Sequence, residues 1–466
     1  MDEKCDIAVI GGGPGGYVAA LRGAQLKKKV LLIEKDQIGG TCMNRGCIPT
    51  KYLLHQTQML SELKGNINID GPTEKIKLNW TRVQEGKRDG VKKLVKGIEF
   101  LLKKNGVQII HGEARLKSER ELIVQSKEDT RIFPDKIILA TGSESASLPF
   151  LQPDGKKIIT SRDALELNEL PNRLLIIGAG AIGLEMGTIF HRMGCDVTIL
   201  EVMNNVLPGI DRDMAVRMER LLKAQGQKIH TQMKIEKCDL KNGSVVLEGI
   251  NLKTLARFEF EADKILLATG RTPNSEELKG KETRLEFDPK GFLKVNHNLE
   301  TGIPGIYAIG DLIGGKLLAH KASHEGLIAV ENACGKTRAM NYSALPSAVF
   351  TEPEFACVGI TETKAKEKGL RVSTGLFTLQ ANSRALTMSK QDGMVKILSD
   401  SEERIVGAQI LSPHASEIIM EVTLAIQHGL KLSDLSSAVH IHPTLSEAVM
   451  EAALKAKGEA IHMLNT

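Results

Sequence analysis

Asp6-Ile7-Ala8-Val9-Ile10-Gly11-Gly12-Gly13-Pro14-Gly15-Gly16 is the stretch on which the fold turns. Asp6 to Ile10 reads as a buried strand, Gly15 to about Gln25 as a helix, and Val30 to Ile33 as the next strand. Between strand and helix, Gly11, Gly13 and Gly16 have the spacing that permits a tight turn and brings a pyrophosphate up to the amides at a helix start. Glu34 stands 23 residues after Gly11, at the end of the next strand, where a carboxylate can accept hydrogen bonds from a ribose diol. A glycine turn alone also serves as a plain structural bend. Strand, helix and acid together make it a dinucleotide site.

The same grammar returns roughly 170 residues later, an internal repeat of one supersecondary plan. Leu174 to Ile177 reads as a strand, Gly178, Gly180 and Gly183 as the turn, Leu184 to Met193 as a helix and Asp196 to Leu200 as a second strand. Glu201 again stands 23 residues after the first glycine. Two copies imply two dinucleotides. Glu201 would repel a 2′-phosphate, and Val202-Met203-Asn204-Asn205 offers no arginine to clamp one, so the second site reads as a site for NAD; the plainer reading of Glu201 is a solvated acid at a strand end.

Strand-like runs also end in Ala140-Thr141-Gly142 and Ala268-Thr269-Gly270, so each unit closes with the same turn, as duplication of one plan would produce. Thr301 to Asp311 reads as another strand ending in Gly-Asp, followed by a helix from roughly Ala319 to Cys334. After Asn341 the character changes. Strand candidates at 348–351, 372–379, 393–398 and 405–411 precede helices at 416–428 and 446–455, which suggests a separate α+β unit. The expected fold class is therefore α/β, with two Rossmann-like dinucleotide-binding domains and an α+β C-terminal domain.

A chain of 466 residues exceeds one core of ordinary size, and about two to four domains are expected. No long Gly/Ser linker separates them, so they are expected to pack tightly. The net charge of +5, from 62 basic and 57 acidic residues, is spread along the chain without a Lys/Arg arm, and nucleic acid is not an expected partner. No run of about 18 apolar residues could span a bilayer, and the N-terminus lacks a basic segment followed by a long apolar run. Membrane association is not expected, and the expected location is the cytoplasm.

Seven cysteines are an odd number for a disulfide framework. Cys5, Cys195, Cys238, Cys334 and Cys357 stand singly and read as buried, reduced thiols. Only Cys42 and Cys47 form a close pair, and in a reducing compartment such a pair is more often catalytic or metal-binding than structural. No second Cys/His pair stands at ligand spacing nearby, so no metal is expected. Five residues of helix rise about 7.5 Å, beyond the roughly 4.4 to 6.8 Å usual between the Cα atoms of a disulfide. A bridge would need a distorted first turn, for which Gly39, Gly40 and Gly46 supply the freedom before the helix continues through Lys51 and Tyr52. Thiols near a helix start are held partly as thiolates, which suits reversible exchange.

The segment Gly39-Gly40-Thr41-Cys42-Met43-Asn44-Arg45-Gly46-Cys47-Ile48-Pro49-Thr50-Lys51 resembles the GGTCxNxGCxPxK signature of the class I pyridine nucleotide-disulfide oxidoreductases. The resemblance extends over nearly the entire chain, through both glycine turns, both Ala-Thr-Gly turns, Thr301 to Asp311 and His440 to Glu447. Within that family, Cys42 to Pro49, Leu318 to Ala322 and His440 to Glu447 look most like the dihydrolipoamide dehydrogenases.

This resemblance implies a homodimer with an FAD-binding domain at 1–145, an NAD-binding domain at 146–271, a central domain at 272–341 completing the FAD site and an interface domain at 342–466. The implied activity is oxidation of dihydrolipoyl groups, with lipoyl domains and the acyltransferase core of a 2-oxo acid dehydrogenase complex, or a glycine cleavage complex, as partners. Gly11, Gly13, Gly16 and Glu34 match the ADP part of the FAD site, Ala114 a main-chain approach to the adenine, Gly142 the turn closing that unit, Asp311 the ribityl contact and Ala319 a backbone contact to the flavin. Lys51 and Glu185 match a charged pair near the flavin ring, and Gly178, Gly180, Gly183, Glu201 and Gly270 the NAD site. Cys42 and Cys47 match the redox pair. His440, from the other subunit, matches the base, with Glu447 supporting its imidazolium. Thr444 to Glu447 also reads as a capping box, which would account for Glu447 without chemistry. Arg45 departs from the pattern, since many members carry Val there; a cation between the cysteines could lower their pKa, meet an acidic partner, or lie solvated.

Rival readings leave different marks. A glutathione reductase would carry arginines for NADP after the second fingerprint, a mercuric reductase a C-terminal cysteine pair, and a soluble transhydrogenase no Cys42/Cys47 pair; the chain has none of these marks. A chiefly scaffolding subunit of a multienzyme complex would be colourless and inactive, whereas the enzyme would be yellow and reduce NAD with dihydrolipoamide. The coenzyme reading predicts a strong preference for NADH. Glu201→Ala should weaken NAD use and narrow the gap to NADP, because it removes a ribose hydrogen bond together with a repulsion. Equal use of both coenzymes by the unmutated protein, in steady-state kinetics, would contradict it.

Overall fold

Strand Asp2–Ile10 lies inside a seven-stranded sheet, paired in parallel with Val30–Glu34 on one edge and Thr130–Leu139 on the other. The computed structural model describes residues 2–65, 68–125, 129–241, 243–278 and 283–465. Val30–Glu34 is buried at every position, as befits a parallel strand covered on both faces, and passes its far edge to Gln108–His111. The far edge of Thr130–Leu139 is divided. Its start takes the antiparallel hairpin Glu113–Ser118/Glu121–Gln125, and its end takes Ile306–Ala308 in parallel. A strand from far downstream thus completes the first sheet. That strand is shorter than the sequence suggests, because Pro304 and Gly305, at φ +86°, break the run, and Gly310–Ile313 closes into a single 3-10 turn. Helix Ala319–Ala333 then packs against Pro14–Gln25 so closely that a Cβ added at Gly326 would fall 2.5 Å from the carbonyl oxygen of Gly15.

The second sheet repeats the plan, with Lys228–His230, Asp196–Leu200, Arg173–Ile177, Lys264–Leu267 and Ile158–Thr160 side by side and all parallel. An antiparallel meander, Met233–Lys241, Ser244–Asn251 and Arg257–Ala262, is inserted before the closing strand. The C-terminal unit is a five-stranded antiparallel sheet in the order Ser347–Val349, Glu354–Gly359, Ile405–Ser412, Met394–Ser399, Ser373–Thr378. Helices Ala415–Gln427 and Glu447–Lys457 share its core, Ile419, Val422, Ala448 and Ala452 packing with Val395, Ile397 and Ile410. The fold is two Rossmann-like α/β units and a separate α+β unit. Strand Glu354–Gly359 is an addition to the sequence reading, where Pro353 and Gly359 leave a run too short to stand out.

The C-terminal unit is fastened to the second unit through charge. Lys396, buried in a strand, lies 2.6 Å from Asp213, 3.2 Å from Glu362 and 3.6 Å from Asp211. Asp211 is also buried and accepts from the amides of Glu362 and Thr363 at 3.1 and 3.2 Å. Asp213 and Glu362 are half exposed and Asp211 keeps its amide hydrogen bonds, so Lys396→Met, which removes the cation facing buried Asp211, should destabilise the protein by about 1–3 kcal/mol. Chemical denaturation measures this, and an unchanged midpoint would show that the cluster contributes no net stability.

Candidate active site

Both glycine turns are built by the same two close approaches. Gly11 and Gly178 adopt φ +103° and +105°, and a Cβ on either would fall 2.3 Å from a carbonyl oxygen, that of Ala140 or of Ala268. A Cβ on Gly16 or Gly183 would fall 1.8 or 1.9 Å from the carbonyl oxygen of Gly11 or Gly178. At Gly13, Gly142, Gly180 and Gly270, by contrast, an added Cβ would meet nothing within 4 Å. The turns are closed toward the protein and open outward, where helices Pro14–Gln25 and Ala181–Arg192 begin without a side-chain cap. Their first amides are left to an anionic ligand, and these surroundings fit two dinucleotides.

Glu34 accepts from the amides of Gly12 at 2.6 Å and Asp36 at 2.8 Å, and Glu201 from those of Ala179 at 2.7 Å and Met203 at 2.9 Å. Each acid braces the glycine turn it faces. Ala114 is buried in Glu113–Ser118, and Ala319 is the first residue of the uncapped helix Ala319–Ala333. Asp311 lies in the 3-10 turn before that helix, accepting from the Ser143 hydroxyl, with Arg271 Nε 3.7 Å away.

The redox segment is two helices rather than one distorted helix. Gly40–Arg45 carries Cys42, the chain breaks at Gly46, and Cys47 opens Cys47–Gly65. Gly40 lies against the first fingerprint, where a Cβ would stand 2.7 Å from Gly13 Cα, so the pair is seated beside the open turn. Both cysteines are thiols, and they are unequal. The hydrogen bond from the Cys42 thiol holds Cys47 down to about 7 against the effect of burial, with the Lys51 charge assisting. The same bond, with burial, pushes Cys42 well above the ordinary thiol range. Lys51 Nζ donates to both oxygens of Glu185, at 3.0 and 2.8 Å, and stands 4.5 Å from the centroid of Phe350. Glu185 is buried, belongs to the helix after the second fingerprint and accepts from the Phe350 amide at 3.0 Å, so this ion pair crosses between the two Rossmann-like units. Arg45 meets an acidic partner, forming an ion pair with Asp36.

The expected pairing of His440 with Glu447 is corrected. Glu447 Oε1 bonds His442 Nδ1 at 2.8 Å, while His440 bonds Glu421 through Nε2 at 2.7 Å and the Ala438 carbonyl through Nδ1 at 2.8 Å. Two positions apart in an irregular segment, the two histidines meet different carboxylates. The His440 side chain is 7% exposed, with both nitrogens engaged, and that of His442 is 70% exposed. The capping box forms by half: the Thr444 amide donates to Glu447 Oε2 at 2.8 Å, whereas the Thr444 hydroxyl donates to the Ile441 carbonyl. Burial alone would raise the Glu447 carboxyl, but the Thr444 amide and the His442 imidazole outweigh it and hold it below the usual range.

His442, Ser143 and Arg271 are site residues that the sequence reading passed over. The available signals were the five-residue spacing of His442 from Glu447 and the positions of Ser143 and Arg271 directly after Gly142 and Gly270. Of the single cysteines only Cys5 and Cys195 are buried, with thiols pushed up by burial to about 12 and about 11; Cys238, Cys334 and Cys357 are half-buried. Among the described residues no helix is long and apolar enough to cross a membrane, and no group of three His, Cys, Asp or Glu side chains could hold a metal ion.

Residues 5–326 match the pyridine nucleotide-disulphide oxidoreductase family, and residues 345–453 match the dimerisation domain of the same family. The chain is 42% identical to a dihydrolipoyl dehydrogenase of Thermus scotoductus, with 99% of each covered. It is 40% identical to a dihydrolipoyl dehydrogenase of Staphylococcus aureus, covering 99% of this chain and 98% of that one. The crystal structure of LpdA from Mycobacterium tuberculosis superposes with a TM-score of 0.88 at 26% identity, covering 97% of this chain and 99% of that one. With two glycine turns built alike, a thiol pair seated beside the first of them and these likenesses along its whole length, the chain belongs to the pyridine nucleotide-disulphide oxidoreductases, in the company of the dihydrolipoyl dehydrogenases.

Proposed function

We propose that the chain, as a homodimer, oxidises protein-bound dihydrolipoyl groups of a 2-oxo acid dehydrogenase or glycine cleavage complex and delivers the electrons to NAD. The Cys42/Cys47 pair, brought together by the helix break at Gly46 beside the first glycine turn with the charge of Lys51 acting on Cys47, carries this reading, because exchange with a dithiol needs one sulfur to be attacked and another to leave as a thiolate. The working division into 1–145, 146–271, 272–341 and 342–466 and a cytoplasmic setting belong to the same proposal. The downstream strand Ile306–Ala308 in the first sheet supports a central segment that completes the FAD site.

In the cycle His442 of a second copy replaces His440 as the base. Nδ1 on the Glu447 carboxylate carries the hydrogen, which leaves Nε2 to take a proton from a dihydrolipoyl thiol. The resulting thiolate attacks Cys42 of the oxidised pair, and Cys47 leaves as a thiolate. The second substrate thiol then releases its proton to solvent as it attacks the substrate sulfur bonded to Cys42, and Cys42 departs with the proton that His442 returns. Lys51, held by Glu185, keeps a positive charge beside the Cys47 thiolate. Bound FAD supplies a two-electron carrier between sulfur and a nicotinamide that accepts only hydride. The first glycine turn, Glu34, Ala114, Gly142, Asp311 and Ala319 would hold it, and the second turn, Glu201 and Gly270 would hold NAD.

Cys42→Ser and Cys47→Ser should each abolish lipoamide turnover while FAD stays bound; retained turnover in either would make the pair a structural one. In the reduced protein, Cys42→Ala should move the Cys47 titration upward from about 7, because the thiol donor that holds it down is gone. Ultraviolet thiolate absorbance against pH reads this, and an unmoved curve would assign the low value to another group. His442→Gln should slow lipoamide turnover by about 10²- to 10⁴-fold while sparing NADH-driven reduction of an artificial acceptor. His440→Gln should cost much less; the reverse ranking in steady-state assays would return the base to His440.

A further inference from the structure

The two Ala-Thr-Gly turns are stitched to one another. Ser143–Ser145, just past Gly142, pairs antiparallel with Arg271–Pro273, just past Gly270. The Thr141 hydroxyl donates to the Asn274 carbonyl at 2.7 Å, and Asn274 Nδ2 donates back to the Thr141 carbonyl at 3.0 Å. On the other side the Thr269 hydroxyl donates to the Ala146 carbonyl, and the Ala146 amide to the Gly270 carbonyl, each at 3.0 Å. Through this ribbon Arg271 leaves the second unit and enters the first. Its Nε donates to Ser143 Oγ at 2.7 Å and its Nη2 to the Ser143 carbonyl at 2.5 Å. Ser143 Oγ donates in turn to Asp311 Oδ2, from which Arg271 Nε stands 3.7 Å away. The Arg271 side chain is only 15% exposed. Burying a guanidinium is costly unless a carboxylate faces it, and Asp311 is the leading opposite charge.

We propose that Arg271 is a positioning residue: acting with Ser143, it fixes the orientation of the Asp311 carboxylate, so the FAD site is set from the nicotinamide-binding unit. This rests on the reading of Asp311 as the ribityl contact. Both contacts fall on Oδ2, which leaves Oδ1 to accept from a ribityl hydroxyl. The arrangement needs a planar fork, because Nε and Nη2 grip the hydroxyl and the carbonyl of one residue together; an ammonium offers no such fixed pair.

The test is FAD affinity of the apoprotein, read by flavin fluorescence, for Arg271→Lys, Ser143→Ala, Ser143→Thr, Asp311→Asn and the double variant Arg271→Lys/Asp311→Asn, with circular dichroism to establish folding. Arg271→Lys and Ser143→Ala should each weaken binding by about tenfold or more, the scale of one hydrogen bond in a charged network. Ser143→Thr, which keeps the hydroxyl, should restore it. On the Asp311→Asn background, Arg271→Lys should add little, because residues acting through one group are not additive. Full additivity, or unchanged affinity in both Arg271→Lys and Ser143→Ala, overturns the proposal while leaving the ribityl reading in place. If Asp311→Asn itself binds FAD normally, the ribityl reading falls and the positioning role falls with it.

Discussion

Two backbone carbonyls, those of Ala140 and Ala268, press against Gly11 and Gly178 so closely that no side chain fits between them. From that approach much else follows. It brings the end of a central strand against the glycine turn, aims the first amides of a helix outward, and leaves the open side at Gly13 and Gly180 as room for a ligand. It also sets Glu34 and Glu201 where each can brace the turn opposite through an amide, at 2.6 and 2.7 Å. The residues just past the two carbonyls, Thr141 to Ser145 and Thr269 to Pro273, then meet in one ribbon. The constraint that builds each nucleotide turn therefore also joins the two units.

The redox chemistry is placed by the same steric economy. Gly40 lets the segment carrying Cys42 start directly on Gly13, and the break at Gly46 lets Cys47 open a new helix instead of lying farther along the first. The hydrogen bond between the two sulfurs then raises one thiol and lowers the other, so the pair is unequal. Lys51 is tied to Glu185 from the opposite unit, so the positive charge beside Cys47 cannot swing away into solvent without breaking two hydrogen bonds. Charge in this site is held by contacts between units, as it is at Lys396 and Asp211 where the C-terminal unit attaches.

The spacing of residues along the chain was enough to identify whatever depends on local geometry. Glycine turns, strand-end acids, the cysteine pair and the repeated Ala-Thr-Gly closure are short-range patterns, because the turn that needs them is made by neighbouring residues. Lys51 and Glu185 were also legible, through the family resemblance; their contact, 134 positions apart, belongs to the tertiary structure.

Tertiary packing decided what neighbouring residues cannot. His440 and His442 differ by two positions in an irregular segment, and only the placement of Glu421 on the helix Ala415–Gln427 turns one ring inward and leaves the other for Glu447. Arg45 could have been solvated or have met an acid, and the chain's return at Asp36 settled it. Arg271 acquires its place only when two turns 128 residues apart are brought together, so that its guanidinium meets Ser143. A sequence states which side chains are available and which local turns they permit; which charge faces which is set by long-range burial, since that alone removes the water that would otherwise satisfy each group separately.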